Sequence, residues 1–79
     1  MITYVLKLEQ DKYYIGKTSN LDHRLENHFN GKGSEATKKY PPIECIRTYE
    51  GDREKECTLY ARKKYGKSNV FGYCYTQTK

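Results

Sequence analysis

The sequence predicts a small α/β (α+β) domain spanning residues 1–79: a three-stranded antiparallel sheet flanked by about three helices. Three observations predict it. Short runs rich in β-branched and aromatic residues, bounded by turn formers, have the character of half-buried strands. Longer stretches open on capping residues and place apolar side chains at helical spacing. Nine tyrosines and two phenylalanines supply bulky burial, so a chain with only 35% hydrophobic and 32% charged residues still has the means to fold. The length suffices for one domain with a modest buried fraction.

Taken in order, Ile2 to Leu8 sets Tyr4, Leu6 and Leu8 on one face of a strand and Thr3, Val5 and Lys7 on the other. Glu9-Gln10-Asp11 is a short polar connection to a second strand over Lys12 to Ile15, and an antiparallel hairpin is the simplest pairing. Tyr4 and Tyr14 then lie on neighbouring strands, and the register decides whether they share a face. Gly16 allows a tight turn against the sheet. Asn20 caps a helix from Leu21 to about Phe29, with Leu21, Leu25 and Phe29 as its buried stripe and Arg24 and His28 on the border. The run Asn30-Gly31-Lys32-Gly33-Ser34 breaks that helix, and Ser34 caps a short one from Glu35 to about Lys39 that Tyr40-Pro41-Pro42 stops. Ile43 to Tyr49 is the third strand, with Ile43, Cys45 and the stem of Arg47 on its apolar side. Asp52 caps a helix from Arg53 to about Tyr65, which carries Arg62, Lys63 and Lys64 in its last turn and ends at Gly66. The aromatic tail Lys67 to Tyr75 is expected to pack back over the sheet, leaving only Thr76 to Lys79 dispensable.

A net charge of +5 and a pI near 9.1 favour a polyanionic partner, nucleic acid first, against the plainer reading of a solvated basic surface. The three cysteines, Cys45, Cys57 and Cys74, are odd in number and lack CxxC spacing, which indicates neither a disulfide framework nor a structural zinc site. Cys45 and Cys57 read as ordinary buried thiols of a reducing compartment. No apolar run is long enough to span a bilayer, and the opening Met-Ile-Thr-Tyr is unlike a signal peptide, so a soluble intracellular protein without membrane contact is expected.

The chemistry concentrates between Lys12 and His28. Arg24 and His28 stand four residues apart and share a helix face, so a permanent cation and a titratable ring project together near Tyr14. Such a group suits a phosphodiester. Core packing is the ordinary role for either tyrosine, and an exposed ion pair with Asp22 or Glu26 is the ordinary role for Arg24.

These residues give the chain a resemblance to the GIY-YIG nuclease family. Tyr14-Ile15-Gly16 stands intact, followed by Lys17-Thr18 and Asn20-Leu21, while Ile2-Thr3-Tyr4 keeps only the tyrosine of the first motif, ten residues before Tyr14. The resemblance continues through Arg24 and Gly31-Lys32-Gly33-Ser34 to a glutamate on the last helix. It implies a metal-dependent DNA endonuclease in which Tyr4 assists deprotonation of the attacking water and Tyr14 lies against the phosphate. Arg24 would stabilise the phosphoryl oxygens, and His28 would shuttle a proton or donate to phosphate. Glu56 would bind Mg²⁺ or Mn²⁺; Glu54 is the competing carboxylate, set aside because it suits the helix's positive first turn. A phenol near pKa 10 is a poor base at neutral pH, so the role given to Tyr4 demands a neighbouring metal or cation.

Lys12, Lys17, Lys32, Lys38 and Lys39 are candidates for contacts to flanking phosphates, and His23, beside Arg24, for one more. The chain departs from the family pattern at the first-motif glycine and at a final asparagine, since Cys74 follows Gly72-Tyr73 and Asn69 is the nearby amide. Those departures keep a second reading open, a catalytically degraded nucleic-acid-binding module. With no recognition helix in view, target choice would fall to a partner protein or a structured substrate. A double-strand break would need a homodimer or two successive nicks.

Overall fold

The computed structural model describes residues 1–72. Strand β1 (Ile2–Leu8) pairs antiparallel with β2 (Tyr13–Thr18) and, on its other side, with β3 (Pro42–Glu50). Between β2 and β3 come helices α1 (Leu21–Phe29) and α2 (Glu35–Lys39); after β3 comes α3 (Glu54–Tyr65). The sheet has four strands, not the expected three. Val70–Gly72 forms β4, which pairs parallel to β2 and completes the order β3-β1-β2-β4. Three residues carry little strand pattern of their own. Parallel pairing requires a crossover, and α3 supplies it by carrying the chain from the β3 edge to the β2 edge. The tail thus joins the sheet up to Gly72, and the rest of the aromatic segment, with Cys74, lies outside the described residues.

The sheet is covered on both faces. Tyr4, Leu6, Leu8, Tyr14, Ala36 and Phe71 form one core, against which Leu21 and Leu25 of α1 pack. Val5, Ile15, Ala61 and Val70 form the other, joined by Tyr13, Ile46, Cys57 and Tyr65, so α3 covers the opposite face from α1 and α2.

Two stripes differ from expectation. In α1, Phe29 is 47% exposed while His28 is fully buried, so the helix turns its Leu21–Leu25–His28 side to the sheet. A buried imidazole is tolerable there because both its nitrogens are hydrogen-bonded. In β3, Ile43 is 51% exposed, and the register jumps so that Val5 faces Arg47 while Leu6 faces Cys45. The residue skipped is Ile46, a bulge that breaks alternation and sends Ile46 and Tyr49 to the α3 face while Cys45 stays on the other.

The helix starts follow local chemistry. Asn20 caps α1 by accepting the His23 N–H, and the Ser34 hydroxyl accepts that of Thr37 at the start of α2. Asp52 sits one residue before the N-cap of α3, and its carboxylate accepts the Glu54 N–H at 3.4 Å. Thr3 fixes this turn to the sheet, donating its hydroxyl proton to the Gly51 carbonyl and accepting the Arg53 N–H, each at 2.8 Å.

The β1–β2 register places Gly16 opposite Tyr4 and Tyr14 opposite Leu6, which puts both tyrosines on the α1 face. A Cβ at Gly16 would lie 2.5 Å from Tyr4 Cζ and 3.0 Å from Tyr14 Cε2. Gly16→Ala is therefore expected to destabilise the domain by about 1–3 kcal/mol through overpacking. In a domain of this size that lowers Tm by roughly 4–8 °C for each kcal/mol. Thermal unfolding followed by circular dichroism measures it, and an unchanged Tm would show that the phenol ring yields freely.

Candidate functional site

The Tyr4 hydroxyl is the hub of a polar cluster buried between β1, β2 and α1. His28 Nε2 lies 2.8 Å from it, and Arg24 Nε donates to it at 3.3 Å. The three rings stand close: Tyr4 to His28 at 5.6 Å, Tyr14 to His28 at 5.1 Å and Tyr4 to Tyr14 at 6.3 Å between centroids. Behind His28, Nδ1 is 3.0 Å from the Thr37 hydroxyl oxygen, which in turn donates to the Ser34 carbonyl at 3.0 Å. Four of the five catalytic candidates are thus together: Tyr4, Tyr14, Arg24 and His28.

The cluster is closed rather than an open hollow. Tyr4 is 1% exposed and His28 wholly buried, leaving half-buried Arg24 as the outer member. Burial pushes the Tyr4 phenol up to about 12 despite the Arg24 hydrogen bond, with the nearby Tyr14 and Glu54 charges acting in the same direction as burial. Burial, reinforced by the Arg24 charge, pulls His28 down to about 4. The Arg24 guanidinium is held still more firmly protonated, chiefly by its hydrogen bond to Tyr4. At neutral pH the resting cluster therefore contains a neutral phenol, a neutral imidazole and one cation.

The fifth candidate lies elsewhere. Glu56 lines a groove of about 310 Å³ between β3 and α3, with Val5, Tyr49, Cys57 and Tyr60, on the far face of the sheet. The α3 carboxylate whose field reaches Tyr4 is Glu54, half-buried in the first turn. The sequence named both carboxylates, but the choice between them depends on how α3 is rotated, which no short-range spacing records.

The basic candidates divide as well. Lys12 Nζ donates to Asn69 Oδ1 at 2.8 Å and lies 5.5 Å from the Tyr40 ring centre; Lys39 Nζ is 5.6 Å from the same ring. Lys17 pairs with Asp52 at 2.9 Å. His23, Lys32 and Lys38 are exposed on the α1–α2 side. Asn69 also donates to the Tyr65 carbonyl at 2.9 Å, so this amide ties the end of α3 to Lys12 at the start of β2. Burial raises the thiols of half-buried Cys45 and Cys57, in keeping with inert packing residues. The sequence reading gave Thr3, Gly33 and Thr37 no side-chain or packing role at the site. The Ser34 cap placed Thr37 on a helix, but nothing in the spacing joined it to His28.

Comparison with known proteins supplies a frame for this cluster. Residues 1–70 match the family described as the GIY-YIG catalytic domain. A UPF0213 protein of Oceanobacillus iheyensis is 40% identical over 43 residues, covering 54% of this chain and 50% of the relative. UPF0213 proteins of Clostridium perfringens and Bacillus licheniformis are 33% identical over 63 residues and 34% over 75. Those alignments cover 77% and 89% of this chain, and 68% and 74% of the relatives. The chain thus spans about half the length of the Oceanobacillus relative. No solved structure matches it.

The depressed pKa of His28 makes stability depend on pH in a defined window. Below about 6.5 the unfolded chain takes up a proton that the folded cluster refuses until about 4. This contribution is complete above the upper value and is lost as pH falls towards the lower one, by roughly 3 kcal/mol at full extent. Denaturant unfolding at pH 7, 5.5 and 4.5 should show the decline, with a smaller decline in His28→Gln. Equal pH dependence in the two proteins would contradict it.

Proposed function

The chain belongs to the GIY-YIG catalytic domain family, and on that premise we propose that it is a metal-dependent endonuclease that hydrolyses DNA phosphodiesters. The observation that carries this reading is the Tyr4 hydroxyl held between a guanidinium at 3.3 Å and an imidazole nitrogen at 2.8 Å. A phenol so placed can accept a proton from water on one side while releasing its own to His28 on the other.

In the resting cluster that release is steeply unfavourable. The gap between about 12 for Tyr4 and about 4 for His28 corresponds to roughly 10 kcal/mol. A bound phosphodiester narrows it from one end, because a phosphate paired with Arg24 offsets the charge that reinforces burial in depressing His28. A divalent cation, if held beside Tyr4 by Glu54, would narrow it from the other by favouring the phenolate and polarising the phosphoryl oxygen. Glu54 fits as its protein ligand: Mg²⁺ keeps several waters and needs only one or two carboxylates beside the substrate phosphate. This moves the metal role from Glu56 to Glu54.

Water attacks phosphorus, its proton passes to Tyr4, and the Tyr4 proton passes to His28 Nε2. Arg24 turns from the phenol to the phosphate, holds two of its oxygens in its planar fork and opens the buried hydroxyl to water. The departing oxygen takes its proton from solvent, and after product release His28 returns its proton to Tyr4 while Tyr4 gives one to water, which restores the resting cluster. His28 stays buried throughout and serves Tyr4, not the phosphate. The exposed His23, Lys32 and Lys38 lie on the same α1–α2 side and would hold flanking phosphates.

The 1% exposure of Tyr4 favours a second reading, a module that binds nucleic acid without cutting it. Nicking of supercoiled plasmid in Mg²⁺ or Mn²⁺ separates the two. Cutting should occur in the parent, fall at least about 10²-fold in Arg24→Ala and Glu54→Gln, and persist in Glu56→Gln. Salt-dependent binding without cutting in the parent would select the second reading, and full activity in Glu54→Gln would remove that residue from the mechanism.

A further inference from the structure

We propose that Thr37 is a positioning residue that fixes which nitrogen of His28 carries the proton, and thereby keeps Nε2 free to receive the proton of Tyr4. The catalytic consequence rests on the nuclease reading above; the tautomer does not.

The direction of the hydrogen bonds is set at the Tyr4 end, and the Thr37 end, where the hydroxyl also lies 3.4 Å from Ser34 Oγ, accommodates it. Arg24 can only donate, and it gives its Nε–H to the Tyr4 oxygen. Tyr4 must then place its own proton, and the acceptor the described residues offer is His28 Nε2 at 2.8 Å. From the other end, the Thr37 hydroxyl proton goes to the Ser34 carbonyl at 3.0 Å, so its oxygen is free to accept from His28 Nδ1, also at 3.0 Å. One chain of donors runs from Arg24 through Tyr4, His28 and Thr37 to Ser34. The opposite tautomer would set two hydrogens between Tyr4 and Nε2 or leave the phenol proton stranded in a buried site without an acceptor.

The glycine-rich turn after α1 explains how Thr37 comes to be there. A Cβ at Gly33 would overlap the His28 ring, so only glycine lets this backbone pass so close. Ser34 follows and caps α2, its hydroxyl accepting the Thr37 N–H at 3.3 Å and its carbonyl accepting Lys38 N–H at 3.1 Å. That first turn of α2 delivers the 1% exposed Thr37 hydroxyl to Nδ1. Gly33, Ser34 and Thr37, which follow His28 across the break between α1 and α2, thus act together on its ring, and a side chain that merely filled the space would need no hydroxyl.

The test uses the protein alone, labelled with ¹⁵N at histidine, with long-range ¹H–¹⁵N spectra reading the two ring nitrogens of His28. In the parent near neutral pH, Nδ1 should carry the proton and Nε2 should be bare. Thr37→Val keeps the shape but removes the acceptor, so Nε2–H should become populated. In the plasmid assay kcat should fall roughly 10²-fold at little-changed KM. Thr37→Ser should restore both, and it carries the comparison if the valine variant does not fold. A parent with the proton on Nε2, or a folded Thr37→Val protein with an unchanged tautomer, overturns the proposal. A parent that cuts no DNA defeats the nuclease reading, yet its histidine spectrum still decides the tautomer.

Discussion

Burying an imidazole is the constraint around which this small fold is arranged. His28 sits between α1 and the sheet with no access to water, and a neutral imidazole there needs one acceptor and one donor. Tyr4 provides one and Thr37 the other, from elements widely separated in the chain. Each imposes a further condition. Tyr4 can reach His28 only because Gly16 leaves room beneath its ring, and Thr37 can reach it only because Gly33 lets the turn approach. The glycines of the second motif and of the loop after α1 are two consequences of one buried ring.

The same burial sets the chemistry at rest. Desolvation keeps the phenol and the imidazole neutral, and among the described residues Arg24 is the charged group hydrogen-bonded to the phenol. On the proposed nuclease reading, such a cluster would stay quiet until charges of both signs arrived from outside: a phosphate to occupy Arg24 and a cation to favour the phenolate. Preorganisation here lies in the hydrogen-bond direction rather than in prior ionisation, which limits deprotonation of Tyr4 without substrate.

Much of this was legible in the sequence, and what was not has definite causes. Asn20, Ser34 and Gly66 mark helix ends through local chemistry, so α1 and α2 fall where expected and α3 ends where expected. The equal facing of Tyr4 and Tyr14 follows from the hairpin register. The fourth strand was hidden because parallel pairing of three residues depends on a crossover, not on pattern. The Ile46 bulge concealed the true alternation of β3, since one extra residue reverses every later side chain. His28 was placed on the border of α1 because a polar residue reads as exposed until its two partners are known, and both are distant in sequence.

The placement of α3 explains why Glu54 and Glu56 differ so sharply. The helix lies on the face opposite the tyrosines, so a carboxylate can approach Tyr4 only around the end of the sheet, from the first turn. Thr3, the neighbour of Tyr4 on β1, binds both Gly51 and Arg53 and so pins that first turn to the strand that carries the phenol. Two residues further on, the helix has turned Glu56 towards the Tyr49–Tyr60 groove. A helix N-terminus carries roughly half a positive charge, which favours an anion there and opposes a cation. Glu54 brings a full negative charge, enough to outweigh that half charge. The cation proposed near Tyr4 would therefore depend on this one side chain far more than on the net acidity of α3, and neutralising it would remove the attraction while leaving the repulsion of the helix end and of Arg24 in place.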